Sequence, residues 1–405
     1  MNRRAFLHNT ATSYLFFLPL GGFASLTKDA IGVRLPSEAF LAKLPRLMEL
    51  ASLPGLGIGI VRRDLPVWQH YAGVANAKTK TPITPESLFS GCSLGKPIFA
   101  CLVLKLAEEG RIDLNRSLNS YLQDDALVGQ FGDRVTAYDV LSHTTGLPNW
   151  RSERDQKLIP SFEPGTQFEY SGEAFYHLQR VVETITGVGL ESLMQERIFK
   201  PLGMNSTTYL WRADATEHIV TGHDGGDPYN RFDRFDRAKR IFDLIQTSGK
   251  PLSFWTHEQI TAALMKEGNS KIAPTPHEMV PNVAFSLLTT VGNYTRFLAA
   301  FVDPHDPTLG LSSATRAAMQ KPLSNLNSAL SWGLGIGIEE TDGQTYLWQW
   351  GDNGGWKDFL LAHPSTRSAI VVFTNGSNGM HVNERIIQAA TGVDHPAFLW
   401  NGLSS

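Results

Sequence analysis

The chain of 405 residues is 42% apolar and carries 36 Lys and Arg against 39 Asp and Glu, which gives a net charge of -3. This apolar content suffices for a packed core, which excludes a disordered chain, and the length allows one large two-lobed domain or two smaller ones. Because both signs of charge are spread along the chain, it lacks the basic surface of a nucleic-acid-binding protein.

Residues 1–24 have the layout of a cleaved bacterial export signal. A basic start precedes an apolar run from Tyr14 to Leu20, which is too short to span a bilayer as a helix. Arg3 and Arg4 resemble the start of a twin-arginine signal, but they also suit the charged start of a general secretory signal. The mature protein, residues 25–405, is therefore expected in the bacterial periplasm without stable insertion in the membrane. Its oligomeric state stays open.

The chain after the signal begins with a helical pattern and continues with a hairpin pattern. Residues 36–50 repeat apolar side chains at helical spacing behind Ser37, a suitable capping residue. Residues 55–75 hold two apolar runs around a charged turn, which predicts a β-hairpin. Similar strand patterns return only over residues 331–376, where short connections favour antiparallel pairing.

The segments between these strand groups are mostly helical. Strands at both ends of the chain with helices between them predict an α+β fold, in which an antiparallel sheet is flanked by helices and interrupted by a large helical insertion. We expect a single domain over residues 25–405, with a sheet lobe at about 36–75 and 325–395 and a helical lobe at about 76–324. Residues 224–281 include the near-repeat RFDRFDR, whose alternating charges favour a solvated surface over a substrate-facing flap.

Ser93 belongs to two overlapping motifs that both make it a nucleophile. Residues 91–95, GCSLG, fit the nucleophile elbow of an α/β-hydrolase, whereas residues 93–96, SLGK, fit the Ser-x-x-Lys of penicillin-recognising enzymes. The elbow requires a buried strand that runs into the serine, and residues 81–92, with two prolines and a glutamate, do not suit such a strand. It also requires a histidine base within regular βα units, and that alternation is missing.

The Ser-x-x-Lys motif requires only that Ser93 begin a helix, which then ends at Gly110. Residues three apart share a helix face, so the Lys96 amine can reach the Ser93 hydroxyl, and burial with neighbouring positive charge can lower the pKa of the amine. In the alternative without catalysis, Ser93 only caps the helix and Lys96 is exposed to solvent. Cys92 and Cys101 are expected on the same helix, about 13 Å apart in rise alone, so no disulfide is predicted.

Several further segments resemble class C β-lactamases and their relatives, which include D-alanyl-D-alanine carboxypeptidases and family VIII carboxylesterases. The segments are SLFSGCSLGKPIFACLVLKLAEEGRIDLNRSLNSYL, VTAYDVLSHTTGLPNW, FEPGTQFEYSGEAFYHLQRVVETITG and IFKPLGMNSTTY, in the order and approximate spacing of that group. The resemblance covers most of residues 36–390 and implies a β-lactamase/transpeptidase-like fold. It further implies that Ser93 forms an acyl-enzyme.

The resemblance also assigns residues beyond Ser93 and Lys96. Tyr170, 170 - 93 = 77 residues after the serine, stands at the tyrosine of the family's Tyr-x-Asn motif. There it would pass protons to the leaving group, with a neighbouring ammonium easing loss of its own proton. Gly172 replaces the usual Asn of that motif at a substrate-binding position. Trp150 would line the acyl pocket.

The family's third motif, a basic residue followed by glycine on the strand that lines the site, corresponds here to Gln349, Trp350 and Gly351. These three are the remaining substrate-binding candidates, and Gly351 would let the substrate approach the strand. The backbone N–H of Asp352 would join that of Ser93 as the oxyanion hole.

The resemblance implies a serine acyl hydrolase for a small-molecule or peptide substrate, with no cofactor. β-Lactams and D-Ala-D-Ala peptides carry a carboxylate, which the family's basic third motif helps to hold. Gln349 at that position favours esters or peptide-like amides, hence a carboxylesterase or D,D-peptidase-like enzyme over a class C-like β-lactamase, unless Lys357 or an arginine restores the charge. A non-catalytic binding module with the same fold is the alternative from another class.

The histidines are predicted to form neither a metal site nor the catalytic base. The 12 histidines are scattered without paired spacing, which argues against a metal site. His143, in the loop HTTGLPNW, is interpreted as a residue that stabilises the loop rather than as a catalytic base.

Overall fold

A computed structural model describes residues 32–400 except 64, 123–125, 152–155, 211–212, 229–242, 244–248, 250, 252–254 and 267–280. The predicted export signal and the RFDRFDR repeat lie outside the described residues. Ile31–Ser405 form one compact unit. Among the helices within the described ranges, none has the length and apolar character that crossing a bilayer would require.

The predicted antiparallel sheet is confirmed. Nine strands pair in the order β3-β2-β1-β13-β12-β11-β10-β9-β8, so that the two ends of the chain meet where β1 pairs with β13. The described strands are β1 (Gly55–Arg62), β2 (Leu65–Asn76), β3 (Thr81–Pro82), β4 (Phe89–Cys92), β5 (His223–Asp224), β6 (Asp227–Pro228), β7 (Leu287–Thr289), β8 (Ser324–Asn325), β9 (Leu330–Trp332), β10 (Gly337–Thr341), β11 (Gln344–Asp352), β12 (Lys357–His363) and β13 (Ser368–Thr374).

Helices lie on both faces of this sheet, and most of them come from the chain between β3 and β8. The described α-helices are α1 (Glu38–Leu50), α2 (Gly95–Glu108), α3 (Ala137–Leu141), α4 (Gly172–Thr186), α5 (Leu190–Met194), α6 (His257–Lys266), α7 (Val291–Val302), α8 (Ser313–Met319) and α9 (Gly379–Thr391). The Ser37 hydroxyl accepts a hydrogen bond from the Phe40 N–H, which confirms the predicted cap of α1. The α+β prediction is therefore confirmed.

The alternation of side chains along the strands builds two cores. On β13, Ile370 and Val372 face the core under α1 and α9, whereas Val371 and Phe373 face the larger core that contains α2, α4 and α7. Helix α7 lies directly on β1: a Cβ added to Gly57 would come within 2.6 Å of a Val291 methyl carbon. The glycine-rich sequence of β1 thus sets how closely a helix approaches the sheet.

Two predictions about the segment around Ser93 are wrong. A short strand, β4, does precede the serine, and it pairs antiparallel with β7 outside the nine-stranded sheet. The helix α2 begins at Gly95, so Ser93 lies in the turn before it. Cys92 therefore sits on β4 rather than on the helix, with a positive φ of 47°. Both cysteines are buried and free, as expected.

Strand β4 does not make residues 91–95 a nucleophile elbow. β4 has four residues in a two-stranded antiparallel pair, whereas an elbow follows a central strand of a parallel sheet. The tight conformation of Cys92 turns the chain sharply from β4 into α2, and this turn positions Ser93 at the surface of the large core.

Candidate active site

Ser93 and Lys96 meet at the start of α2. The Lys96 Nζ lies 2.8 Å from the Ser93 Oγ and 3.3 Å from the carbonyl oxygen of Ala284. Only 1% of Lys96 is exposed, and its burial holds the pKa of the amine well below the usual range. The neutral form of the amine is therefore favoured.

The cause of the lowered pKa of Lys96 differs from the sequence prediction in one respect. Burial alone lowers the pKa of Lys96, and the positive charge expected beside it makes no contribution to the shift. No carboxylate forms an ion pair with Lys96 in the part of the chain that the structure describes. The amine is thus held in an apolar setting beside an oxygen nucleophile, which is the setting of a lysine base.

Tyr170 lies beside both groups. Its ring centroid is 4.8 Å from the Lys96 Nζ, and its hydroxyl accepts a hydrogen bond of 3.2 Å from the Gln349 side-chain amide. Burial raises the pKa of Tyr170, and hydrogen bonds with Ser93 and Gln349 offset only part of that rise. The expectation that Tyr170 loses its proton more easily than a free phenol is therefore wrong, because desolvation disfavours the phenolate.

His143 packs against Tyr170 and stabilises its position. Its ring lies 4.2 Å from that of Tyr170, and its Nδ1 accepts a hydrogen bond of 3.1 Å from the Ser171 N–H. It adopts a positive φ of 54°, and its carbonyl accepts a bond from the Glu169 N–H. Burial, followed by the charge of Lys96, lowers the pKa of His143 well below 6.5. His143 therefore packs against Tyr170 and holds the loop, in agreement with the sequence interpretation.

A pocket of about 290 Å³ opens over Ser93. It is lined by Ser93, Asn149, Trp150, Tyr170, Ala284, Phe285, Trp350, Asp352, Asn353 and Trp400. Trp150, Trp350 and Asp352 thus lie on its wall together with Ser93 and Tyr170. The assignment of the Ser93 and Asp352 N–H groups as an oxyanion hole stays a prediction.

Three predicted substrate-binding residues lie outside this wall. Gly172 begins α4 beneath Trp150, and a Cβ added to it would come within 2.4 Å of the indole ring. Gln349 is fully buried, and its amide donates to the Tyr170 hydroxyl and to the carbonyl of Trp350. A Cβ at Gly351 would lie 2.9 Å from the Cys92 Cβ. These residues shape the site from within the protein, because tight packing separates them from the pocket.

Two described cations near the pocket, Lys357 and Arg151, are paired with carboxylates. Asp352 binds Lys357 through an Oδ2–Nζ distance of 2.5 Å, and its Oδ1 accepts a bond from the Gly354 N–H. Arg151, next to Trp150, binds the buried Glu173 at 2.6 Å. Arg151 and Lys357 are therefore both already paired, and Lys357 does not replace the missing basic residue as an unpaired charge.

Sequence reasoning missed five of the pocket residues, namely Asn149, Ala284, Phe285, Asn353 and Trp400. Asn149 accepts a hydrogen bond from the Gly172 N–H, so an amide does stand beside the position where the family's Asn is absent. Asn353 donates to the Ser90 hydroxyl and to the Phe285 carbonyl, which ties β11 to the strand before Ser93. Asn149 directly precedes Trp150 and could have been found there. Phe285 and Trp400 carry no local signal, because they are brought in from distant parts of the chain.

The chain is similar to known proteins over most of its length. The family model described as Beta-lactamase matches residues 41–392. An unguisins hydrolase of Aspergillus campestris is 30% identical over 202 residues, which are 44% of this chain and 37% of the fungal protein. The D-alanyl-D-alanine-carboxypeptidase/endopeptidase AmpH of Escherichia coli is 25% identical over 197 residues, 44% of this chain and 50% of that protein. The matches therefore span half or less of these relatives.

The fold is also found among solved structures. A class C beta-lactamase superposes with a TM-score of 0.67 at 16% identity, over 87% of this chain and 94% of the other. This likeness confirms the predicted β-lactamase/transpeptidase-like fold. Since the family match extends over residues 41–392 as well, the chain belongs to the beta-lactamase family.

Proposed function

We propose that this protein is a serine acyl hydrolase that works through an acyl-enzyme on Ser93. The observation that carries the proposal is the 2.8 Å contact between the Ser93 hydroxyl and a buried lysine amine whose pKa is well below its usual range. A serine hydroxyl becomes a useful nucleophile only beside a base, and a neutral amine at hydrogen-bond distance can take its proton. A module that only binds ligand has no need of that arrangement.

The proton path follows from the two pKa shifts. Lys96 takes the proton of Ser93 as Oγ attacks the carbonyl carbon of the substrate, and the N–H groups of Ser93 and Asp352 stabilise the oxyanion. Tyr170, which burial keeps protonated, donates its proton to the leaving group and recovers one from the Lys96 ammonium. Water then attacks the acyl-enzyme, and its proton returns through Lys96 to Ser93.

The substrate is proposed to be an ester or a peptide-like amide without an essential carboxylate next to the scissile bond. Gln349 is buried under Tyr170, and Lys357 and Arg151 are engaged by acidic partners. A substrate carboxylate that bound Lys357 or Arg151 would have to displace the acidic partner of that cation, which costs binding energy. The name of one relative, a carboxypeptidase/endopeptidase, also supports hydrolysis of amide-like bonds, and the name of the unguisins hydrolase supports hydrolysis. Export to the periplasm by residues 1–24 is part of the proposal.

A covalent probe tests the chemistry. The mature protein, residues 25–405, is treated with a fluorophosphonate and digested for mass spectrometry, with Ser93→Ala as the control. An adduct on Ser93 that is absent from the control is expected. A folded protein that forms no adduct would instead be a binding module.

A substrate panel tests the specificity. Nitrophenyl esters, D-Ala-D-Ala peptides and a chromogenic cephalosporin are compared by kcat/KM under one set of conditions. We expect esters or amides to be turned over faster than the cephalosporin. Cephalosporin turnover far above ester turnover would contradict the argument from the paired charges and would favour a class C-like β-lactamase.

A further inference from the structure

The C-terminal end of the described chain forms part of the pocket. Trp400 lies on the pocket wall with Ser93, and its ring centroid is 5.0 Å from that of Trp350 at an interplanar angle of 79°. It also lies 5.8 Å from the ring of Phe168. Edge-to-face contacts of this kind are preferred geometries for aromatic pairs. The last described residue is therefore a packed part of the site.

The residues just before Trp400 fix its position. The His395 Nδ1 lies 2.7 Å from the Glu339 Oε1, and both side chains are buried. The Ala397 N–H donates to the other oxygen of Glu339, and Phe398 stacks on Phe359 with ring centroids 4.1 Å apart. These anchors tie the segment to β10 and β12. These contacts hold Trp400 in place on the pocket wall. A wall residue that is already held in place loses little conformational entropy when a ligand binds, and this favours selective binding.

Five of the ten residues that line the wall around Ser93 are aromatic, namely Trp150, Tyr170, Phe285, Trp350 and Trp400. Trp150 and Phe285 form one edge-to-face pair at 6.1 Å, and Trp350 and Trp400 form the other. The wall's described carboxylate, Asp352, is already engaged by Lys357. With about 290 Å³, the pocket is at the lower end of ordinary ligand sites and has room for a single ring on a short linker.

We propose that Trp400 is a specificity-determining residue that selects substrates with an uncharged, planar aromatic acyl group. The inference rests on the proposed hydrolase function of Ser93 and names the substrate class of that site. An aromatic acyl group can pack edge-to-face or offset against indole rings, whereas an acetyl group fills little of the pocket and has no ring to present.

Two esters with the same leaving group test this proposal. The kcat and KM of p-nitrophenyl phenylacetate and p-nitrophenyl acetate are measured for the wild type, Trp400→Ala, Trp400→Phe and the control Trp68→Ala. Trp68 is a tryptophan of β2 that stacks on His70 and lies outside the pocket wall. For Trp400→Ala we expect about a tenfold loss of kcat/KM on the phenylacetate, mainly through KM, and less than a twofold change on the acetate. Trp400→Phe should recover most of the loss.

Equal losses on the two esters, or no loss on either, would overturn the role of Trp400. Calorimetric titration of p-nitrophenyl phenylacetate into Ser93→Ala and into Ser93→Ala/Trp400→Ala separates this outcome from failure of the proposed function. If the wild type takes no fluorophosphonate and cleaves neither ester, the hydrolase assignment fails. Weaker binding to the double variant would still support the aromatic site, and unchanged or undetectable binding would refute it.

Discussion

Gln349 provides the sharpest test of how the site is built, because the sequence suggested a substrate contact and the structure shows a support for Tyr170. Exchange of Gln349 for Met keeps a similar volume but removes the donor to the Tyr170 hydroxyl at 3.2 Å and to the Trp350 carbonyl at 2.8 Å. Two lost hydrogen bonds cost about 1–3 kcal/mol, and removal of the buried Oε1, which has no hydrogen-bond partner among the described residues, returns about 1–2 kcal/mol of desolvation. At the midpoints of these ranges, the net loss of unfolding free energy is about 0.5 kcal/mol.

The same change should slow catalysis more than it weakens binding. Loss of about 1 kcal/mol of support for the Tyr170 hydroxyl corresponds to about a fivefold lower kcat, with KM little changed. Urea unfolding and ester hydrolysis are measured for Gln349→Met and for the control Gln69→Met, whose exposed side chain accepts a bond from the Tyr71 hydroxyl away from the site. A raised KM with unchanged kcat would refute the reasoning and restore Gln349 as a substrate-binding residue.

Three further predictions concern neighbouring residues. Lys96→Ala should lower the rate of ester cleavage by about 10²–10⁴, while circular dichroism shows that the variant still folds. If the rate is unchanged and replacement of His363, His381 or His395 abolishes activity, the base is a histidine instead. Because Lys96 acts as the free amine, kcat/KM should rise with pH as a single group with a pKa well below 10.5 loses its proton. A kcat/KM that does not fall at acid pH would contradict this. Gly172→Ala should destabilise the protein by about 1–3 kcal/mol in thermal or urea unfolding, because its Cβ meets Trp150, and a neutral effect would mean that the ring shifts freely.

The sequence was sufficient for most of the elements and for the contact between Ser93 and Lys96. Helical spacing in α1 and alternation in β10 to β13 follow from local periodicity, which survives in the fold because each element buries one face. The contact between Ser93 and Lys96 likewise depends on residues three positions apart. The position of Tyr170 came from a family resemblance, and the structure brings it to the same pocket.

The tertiary structure decided which of the candidate residues line the pocket. Gln349, Gly351 and Gly172 occupy motif positions, but the packing of Tyr170, Cys92 and Trp150 against them turns them into supports. It also decided the directions of the two pKa shifts, because burial lowers the pKa of Lys96 and raises that of Tyr170.

Long-range contacts also chose the remaining walls of the pocket. Trp400 reaches the site only because β10 and β12 hold the segment that precedes it. Periodicity and motif spacing report on neighbours within a few residues, so the sequence alone determined that Ser93 has a lysine within reach. Which side chains surround the acyl group depends on residues more than two hundred positions apart, and only the folded chain brings these together.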